Sequence, residues 1–386
     1  MNRWNIRLLM GFTAAHCALP IVPVIVPFYQ NQIGLSFSQF LITEAIFSAT
    51  MVLMEVPSGW LSDIWTRKGT LILSSLACMF GFIFLGLADS FLDAVGAEIL
   101  IGIGLSLASG TITALLYDDL LEQGREDEYR RLEGRRHGFG FYVVGATALI
   151  GGFLYMIDPY LPIYVTAGSY LLGIPCALLM KEPPRVKKAV ERNPFYDVWQ
   201  VMRYALRGHA EVAAIIFFVG VMFGGTQAGQ WMQQPYYMQL GIAEVWFGIL
   251  VSMGFLIGGL GGQLGHVLER YIRPMHILIG LWGLTILCWV ISGSVIWYHA
   301  LPLLLISNAA YGVGMPVMQD ALNKRVDSAR RATVLSVASL MIRLVFIPLG
   351  FIVGWVVEHY DLQAGLIALA GIVFFANILN LRKIRF

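Results

Sequence analysis

Residues 59–68 read GWLSDIWTRK and form a short polar, basic segment between two long apolar stretches. A second segment, residues 262–270, reads GQLGHVLER and lies 203 positions later. At nearly the same offset, Asp118 and Asp320 each stand at the end of an apolar stretch. Two matches at one offset indicate that the chain consists of two related halves.

The 26 lysine and arginine residues are distributed unevenly among the polar segments of the chain. Every second gap between apolar stretches carries them, and the intervening gaps hold only neutral or acidic residues. This alternation predicts a polytopic membrane protein with an even number of spans and both termini in the cytoplasm. Arg343 is the exception, because it lies inside an apolar stretch. The gaps without basic residues are 30–36, 89–93, 158–161, 238–244, 295–300 and 358–362.

The composition excludes an ordinary water-soluble domain. The chain of 386 residues is 58% hydrophobic and only 13% charged, whereas soluble domains carry roughly 25% charged residues. The net charge of +2 is divided between alternate gaps, so no basic patch is available for nucleic acid. The four cysteines lie in four different apolar stretches without metal-site or disulfide spacing, and we expect neither a metal nor a cofactor.

Twelve segments of the chain are long enough to cross a bilayer as helices, which takes about 20 apolar residues each. The longest polar stretch divides them six and six. We therefore predict an all-α membrane protein with 12 transmembrane helices in two pseudo-symmetric six-helix bundles, residues 1–182 and 211–386. Residues 183–210 between them predict a cytoplasmic amphipathic linker helix. The predicted spans are 5–29, 37–62, 69–88, 93–118, 137–157, 161–180, 211–236, 243–266, 274–294, 300–321, 332–357 and 362–381.

The segment 59–68 resembles the loop signature of the major facilitator superfamily, Gly-x-Leu-small-Asp-basic-x-Gly-basic-basic. In topology the resemblance extends over essentially the whole chain, because this family is built from two six-helix halves. Two positions depart from the signature: Ile64 replaces a basic residue and Thr66 replaces a glycine. The matching residues are Gly59, Leu61, Asp63, Arg67 and Lys68.

The resemblance implies a latch at the cytoplasmic side. In that family the aspartate and arginine of this loop, with an acidic residue at the end of span four, close the cytoplasmic side when the transporter faces outward. The second half has the weaker counterpart, because a histidine replaces the aspartate there. The alternative is that these charges only set the topology of the chain. The predicted latch residues are Asp63, Arg67, Lys68, Asp118, Arg270 and Asp320.

Two further signatures of the family distinguish its subclasses. Drug–proton antiporters carry an arginine early in span four, where this chain has Glu98. They also carry Gly-Pro-x-x-Gly-Gly in span five, where residues 145–152 read GATALIGG and lack the proline. The chain therefore resembles antiporter-like members of the family with atypical span-four and span-five signatures.

Ionisable residues at membrane depth are costly and indicate function. Glu98, Glu44 and His16 are the candidates for proton coupling, because a carboxyl group in an apolar setting takes up a proton more readily than one in water. Glu44 and Arg343 lie about 10 Å and about 16 Å from opposite surfaces. In the family's fold their spans face each other, which favours an ion pair. Arg343 has two alternative roles, in binding an anionic substrate or in contacting helix carbonyls.

Span seven carries a polar face, because Gln227, Gln230 and Gln234 recur at helical spacing on one side. The family's fold implies a cavity lined by spans one, four, seven and ten, and we expect this face to meet His16 and Glu98 there. Aromatic and amide side chains suit a partly apolar, hydrogen-bonding solute, although hydrogen bonds between helices are the alternative. The predicted cavity residues are His16, Glu98, Phe223, Gln227, Gln230, Trp231, Gln234, Asn308, Tyr311 and Arg343.

The sequence favours a secondary active transporter that moves a small amphipathic solute across the inner (cytoplasmic) membrane by alternating access, driven by protons. Export of a drug or siderophore-like metabolite is favoured, and import is the alternative. The polar cavity residues disfavour a non-transporting receptor or scaffold, and the lack of GxGD, HExxH and GxSxG motifs disfavours an intramembrane enzyme. We expect a monomer whose partners are the solute, protons and the lipid bilayer.

Overall fold

The computed structural model describes residues 4–182, 203, 210–326 and 331–382. In these residues 12 helical segments are long and apolar enough to cross a membrane, which confirms the predicted all-α membrane fold. We number them spans 1 to 12 in chain order. Span 1 (Trp4–Ile33) and span 7 (Ala210–Gln239) each contain two of the α-helices given below, and every other span contains one. The predicted linker, residues 183–210, lies almost entirely outside the described residues. The helices are Trp4–Cys17, Ile25–Phe28, Phe37–Ile64, Arg67–Gly86, Phe91–Glu122, Tyr129–Ile157, Leu161–Leu179, Ala210–Trp231, Gln233–Gln239, Glu244–Leu268, Pro274–Ser294, Leu301–Asn323, Arg331–His359 and Leu362–Leu381.

Span 1, Trp4–Ile33, is interrupted. Its first helix ends at Cys17, and the chain continues through a 3₁₀ turn, Val22–Val24, and a short α-helix into a π-helical turn, Tyr29–Ile33. Pro20, Pro23 and Pro27 explain the break, since each lacks the backbone donor that a helix requires. Unpaired backbone groups inside a membrane need partners, so this segment depends on side chains from other spans.

Span 5 begins eight residues earlier than the sequence predicted. Its helix starts at Tyr129, after a 3₁₀ turn, instead of at residue 137. The basic residues before position 137 indicated a loop, but Glu133 and Arg136 stand three positions apart on the helix and form an ion pair. Such a pair allows the helix to continue through a charged stretch.

The two bundles meet along spans 2 and 11 and along spans 5 and 8. Glycines allow close approach there. A Cβ atom on Gly152 would lie 2.5 Å from the Val245 carbonyl oxygen, and one on Gly248 would lie 2.5 Å from the Ala148 carbonyl oxygen. We call the end of the molecule with the basic loops the cytoplasmic end and the opposite end the outer end. These contacts lie toward the outer end, where the bundles are closed against each other.

Candidate functional site

A buried carboxyl cluster lies in the outer half of the N-terminal bundle. The Tyr29 hydroxyl donates a hydrogen bond of 2.6 Å to Glu98 Oε1. Glu44 interacts electrostatically with Glu98 and with Tyr29. All three side chains are buried. Spans 1, 2 and 4 thus bring two of the predicted proton-coupling residues together, around a tyrosine that the sequence did not single out.

The π-helical turn of span 1 explains why Tyr29 was missed. Three prolines precede it, so the rotation of this segment does not follow from helical periodicity over the whole span. Turns of this kind are frequent at functional sites. The edge-to-face contact of Tyr29 with Phe40, with ring centroids 5.0 Å apart, fixes the ring beside span 2.

His16 occupies a different place from the predicted one. Its Nε2 atom lies 2.9 Å from Ser75 Oγ, and its ring stacks on Phe12 and meets the edge of Tyr170. His16 therefore lies among spans 1, 3 and 6, inside the N-terminal bundle, and the expected contact with span 7 is not formed. The cause is the orientation of the first helix of span 1, which turns this face toward Gly173 of span 6.

Gln234 reaches across to span 1, and its contacts differ from those expected. Its Oε1 atom accepts a hydrogen bond of 3.0 Å from the Val26 amide, and its Nε2 atom donates one of 2.9 Å to the Val22 carbonyl. In an uninterrupted α-helix these two backbone groups would bond to each other. One side chain of the C-terminal bundle therefore occupies the place of a missing backbone bond in the N-terminal bundle.

The polar face expected on span 7 is divided by a helix break at Met232. Gln227 and Gln230 lie before the break and are partly buried. After it, Gln233 exchanges hydrogen bonds of 3.0 and 3.2 Å with Asn308 of span 10. The change of register explains why Gln233, which the sequence did not indicate, contacts the predicted cavity residue.

Aromatic rings surround these glutamines. Trp231 meets Phe40 of the opposite bundle edge to face, with ring centroids 5.3 Å apart. Phe223 and Tyr311, both predicted cavity residues, make the same type of contact at 5.3 Å between spans 7 and 10. The rings place apolar surface beside amide groups in the centre of the molecule.

The expected ion pair between Glu44 and Arg343 is not formed. Glu44 is turned toward the carboxyl cluster, whereas Arg343 interacts electrostatically with Tyr311 and Glu55. Glu55 lies eleven residues beyond Glu44 on span 2, which is about 16 Å along a helix. Arg343 therefore interacts with a part of span 2 nearer the cytoplasmic end than Glu44, so both height and the side of the helix separate the two residues.

The residues predicted to form a latch in the N-terminal bundle lie together. Arg67 contacts Asp118 Oδ2 through Nε and Nη2, both at 2.7 Å, and lies 3.7 Å from Asp63. Glu182, at the end of span 6, accepts hydrogen bonds from the Arg67 and Lys68 amides. Arg67 is therefore held by groups from three parts of its own bundle.

The counterpart in the C-terminal bundle is built differently. Asp320 pairs with Lys324 on its own helix, and it forms no ion pair with Arg270. Arg325 instead pairs with Glu211 at 2.8 Å, joining spans 7 and 10. The duplication is therefore visible in the sequence but not in the ion pairs.

A charged cluster on span 5 was missed because its residues were assigned to a loop. Glu133 accepts hydrogen bonds from Arg136 Nη2 at 2.6 Å and Nε at 2.9 Å, and one from Thr113 at 3.2 Å. His137 Nε2 lies 3.2 Å from the same carboxylate. The spacing of Glu133 and Arg136, three positions apart, was the available signal.

Comparisons with known proteins agree with this architecture. The family model of the Major Facilitator Superfamily matches residues 1–125 and 126–350. The tetracycline resistance protein, class H, of Pasteurella multocida is 22% identical over 381 residues, which cover 94% of this chain and 90% of that protein.

Solved structures show the same fold at low sequence identity. The nucleoside transporter NupG is 15% identical, with a TM-score of 0.76 and coverage of 100% of both chains. A bacterial homolog of the human lysosomal transporter Spinster, inward-facing and unoccupied, is 15% identical, with a TM-score of 0.76 over 99% of this chain and 97% of that one. A D-xylose–proton symporter is 15% identical, with a TM-score of 0.72 over 99% and 96%.

Proposed function

This chain belongs to the Major Facilitator Superfamily, and we propose that it is a proton-coupled exporter of small amphipathic solutes in the cytoplasmic membrane. The family and the fold make it a transporter of small solutes and not an enzyme. The observation that carries the proton coupling is the buried hydrogen bond from Tyr29 to Glu98, with Glu44 beside it.

The carboxyl cluster suits a site that gains and loses one proton. Two carboxylates in one buried cluster repel each other, and a proton bound to either removes that repulsion. A hydrogen bond to an ionised carboxylate is roughly twice as strong as one to a neutral group. Ionisation of Glu98 therefore strengthens its bond to Tyr29 and holds the interrupted part of span 1 in place.

That part of span 1 also carries the groups that Gln234 binds from the other bundle. We infer that the ionised cluster favours the arrangement closed at the outer end, and that protonation of Glu98 favours its release. Each transition changes the solvation of Glu98, which is what links a proton to a conformational cycle.

Export is supported by the relationship to a tetracycline resistance protein, and the solute class by the aromatic and amide groups of spans 7 and 10. Residues such as Trp231, Tyr311 and Asn308 suit a solute that is partly apolar and forms hydrogen bonds. The rival directions, import and export, differ in whether the solute moves with the proton or against it.

The test is transport in inside-out membrane vesicles with an imposed proton gradient. A panel of amphipathic compounds that includes tetracycline is offered to the wild type, and uphill accumulation that a protonophore abolishes is the expected result. Glu98→Gln should lose uphill accumulation and keep downhill exchange. Glu122→Gln, an exposed carboxyl at the end of the same span, is the matched control.

Undiminished uphill transport by Glu98→Gln would contradict this proton site and direct attention to Glu44. Loss of binding as well as transport in Glu98→Gln would instead identify a counter-ion for a cationic solute. Solute movement in the same direction as the proton would reverse the proposed direction and leave the proton site standing.

A further inference from the structure

A cavity of about 100 Å³ lies between spans 1, 4 and 5 in the cytoplasmic half of the N-terminal bundle. Its wall is mostly apolar and ends in two guanidinium groups. The residues that form it include Leu9, Met10, Leu116, Leu132, Arg135 and Arg136.

The charge of this cavity is positive among the described residues. Arg136 is nine-tenths buried, and two of its nitrogen atoms are occupied by Glu133. Its third, Nη1, forms no hydrogen bond with a described residue. Arg135 is exposed and forms no ion pair with a described residue. One arginine is thus neutralised by Glu133 and the other is not, which leaves one net positive charge beside an apolar wall.

The size of the cavity limits its occupant. Complete ligand sites in proteins measure about 300–1,000 Å³, so this space takes one small group and not a whole drug-sized solute. A guanidinium with a free N–H group recognises carboxylate, sulfonate or phosphate oxygens. An adjoining apolar wall favours a ring or a short hydrocarbon next to that anion.

We propose that the cavity is a subsite for the anionic end of an amphipathic solute, which binds Arg136 beside the apolar side chains of spans 1, 4 and 5. In this arrangement Glu133 competes with the solute for Arg136, so it lowers the affinity for anions and keeps the buried arginine paired when the site is empty. The subsite rests on the proposed transport function, because it names the class of solute.

The competition gives two substitutions opposite effects. Arg136→Gln removes the donor and should weaken the binding of an anion about tenfold or more, as expected for loss of a hydrogen bond to a charged group. Glu133→Gln removes the competitor and should strengthen binding several-fold. A fault in folding would weaken binding in both variants, so the opposite signs separate recognition from damage.

The experiment is isothermal titration of benzoate into the purified protein in nanodiscs of zwitterionic lipid. Benzylamine, which has the same ring and a positive charge, is the matched ligand control. Arg131→Gln, an exposed arginine of the same helix, is the matched variant and should bind benzoate as the wild type does. We expect the wild type to bind benzoate and not benzylamine.

Equal binding of the two ligands, unchanged binding in Arg136→Gln, or unchanged or weaker binding in Glu133→Gln would each overturn the subsite. Loss of benzoate binding when the nanodisc lipid is changed to phosphatidylglycerol would show that a lipid phosphate occupies the cavity, and would overturn it as well. Benzoate binding needs no proton gradient, so the two proposals fail separately. Benzoate binding can be lost while proton-driven transport persists, and proton-driven transport can be lost while benzoate binding persists.

Discussion

Substitution of Gln234 tests how the outer end is held closed. Its amide accepts a hydrogen bond from the Val26 N–H at 3.0 Å and donates one to the Val22 carbonyl at 2.9 Å. Gln234→Leu keeps a similar size and removes both bonds. A hydrogen bond contributes about 1 kcal/mol net, and a buried group left without a partner costs roughly 1–3 kcal/mol. We therefore expect the closed outer end to lose about 2–4 kcal/mol relative to the open one.

The sign follows from what happens on opening. When the bundles separate, the Val22 carbonyl and the Val26 amide can bond to water, whereas in the closed variant a leucine side chain lies between them. Since 1.4 kcal/mol corresponds to a factor of ten, the ratio of closed to open molecules should fall by about 30-fold to 1,000-fold.

Spin labels measure this shift. Cysteines introduced at Asp89 and His299, which are exposed at the outer end of the two bundles, carry the labels in a background without the native cysteines. Gln234→Leu should add a population at longer distance. Gln239→Leu, at an exposed position on the same short helix, should leave the distance distribution unchanged. A wild-type distribution in Gln234→Leu would refute the reasoning.

Three further predictions concern other contacts. Tyr29→Phe removes the donor to the buried carboxyl cluster, a bond of about 1.5–3 kcal/mol, and should uncouple solute transport from the proton gradient; tight coupling in this variant, measured as protons moved per solute, would contradict the proposed site. Glu44→Gln and Arg343→Gln should have additive effects on thermal stability, because the two residues are not paired; a coupling above about 0.5 kcal/mol in the double-mutant cycle would show that they are. Asp118→Asn removes the carboxylate that binds Arg67 and should lower the melting temperature by several degrees, as expected for a loss of about 1–2 kcal/mol; an unchanged melting temperature would show that this pair contributes nothing to stability.

The sequence predicted the spans well because lipid imposes a simple requirement. A helix must present about 20 apolar residues, and its flanking charges report its direction. The start of span 5 is the exception, since hydropathy does not detect a helix that continues through paired charges such as Glu133 and Arg136. The charged cluster on that helix was lost with the boundary.

The contacts between spans were harder to predict because they depend on rotation about each helix axis. Counting residues along the spans predicted similar heights for Glu44 and Arg343, but Arg343 interacts with Glu55, about 16 Å farther along span 2. The side on which each residue lies depends on packing, which turns Glu44 toward Glu98. The helix breaks in spans 1 and 7 change the rotation of the residues that follow them, which helical periodicity does not predict. Gln234 was expected to face the cavity, but it bonds to the backbone of span 1.

The interruption of span 1 joins the proton site to the closure of the outer end. Val22, Val26 and Tyr29 lie within one short segment, and that segment has two kinds of partner, Gln234 in the opposite bundle and Glu98 in its own. An unbroken helix would offer Gln234 no free backbone groups, because the Val22 carbonyl and the Val26 amide would already be bonded. The prolines prevent that backbone bond from forming, which costs free energy. The hydrogen bonds from Gln234 offset this cost only while the outer end is closed. A proton on Glu98 weakens one of the two restraints on the segment, so it lowers the free energy needed to release the other. Coupling of this kind requires no long pathway through the protein, since one short segment contacts both the carboxyl cluster and the opposite bundle.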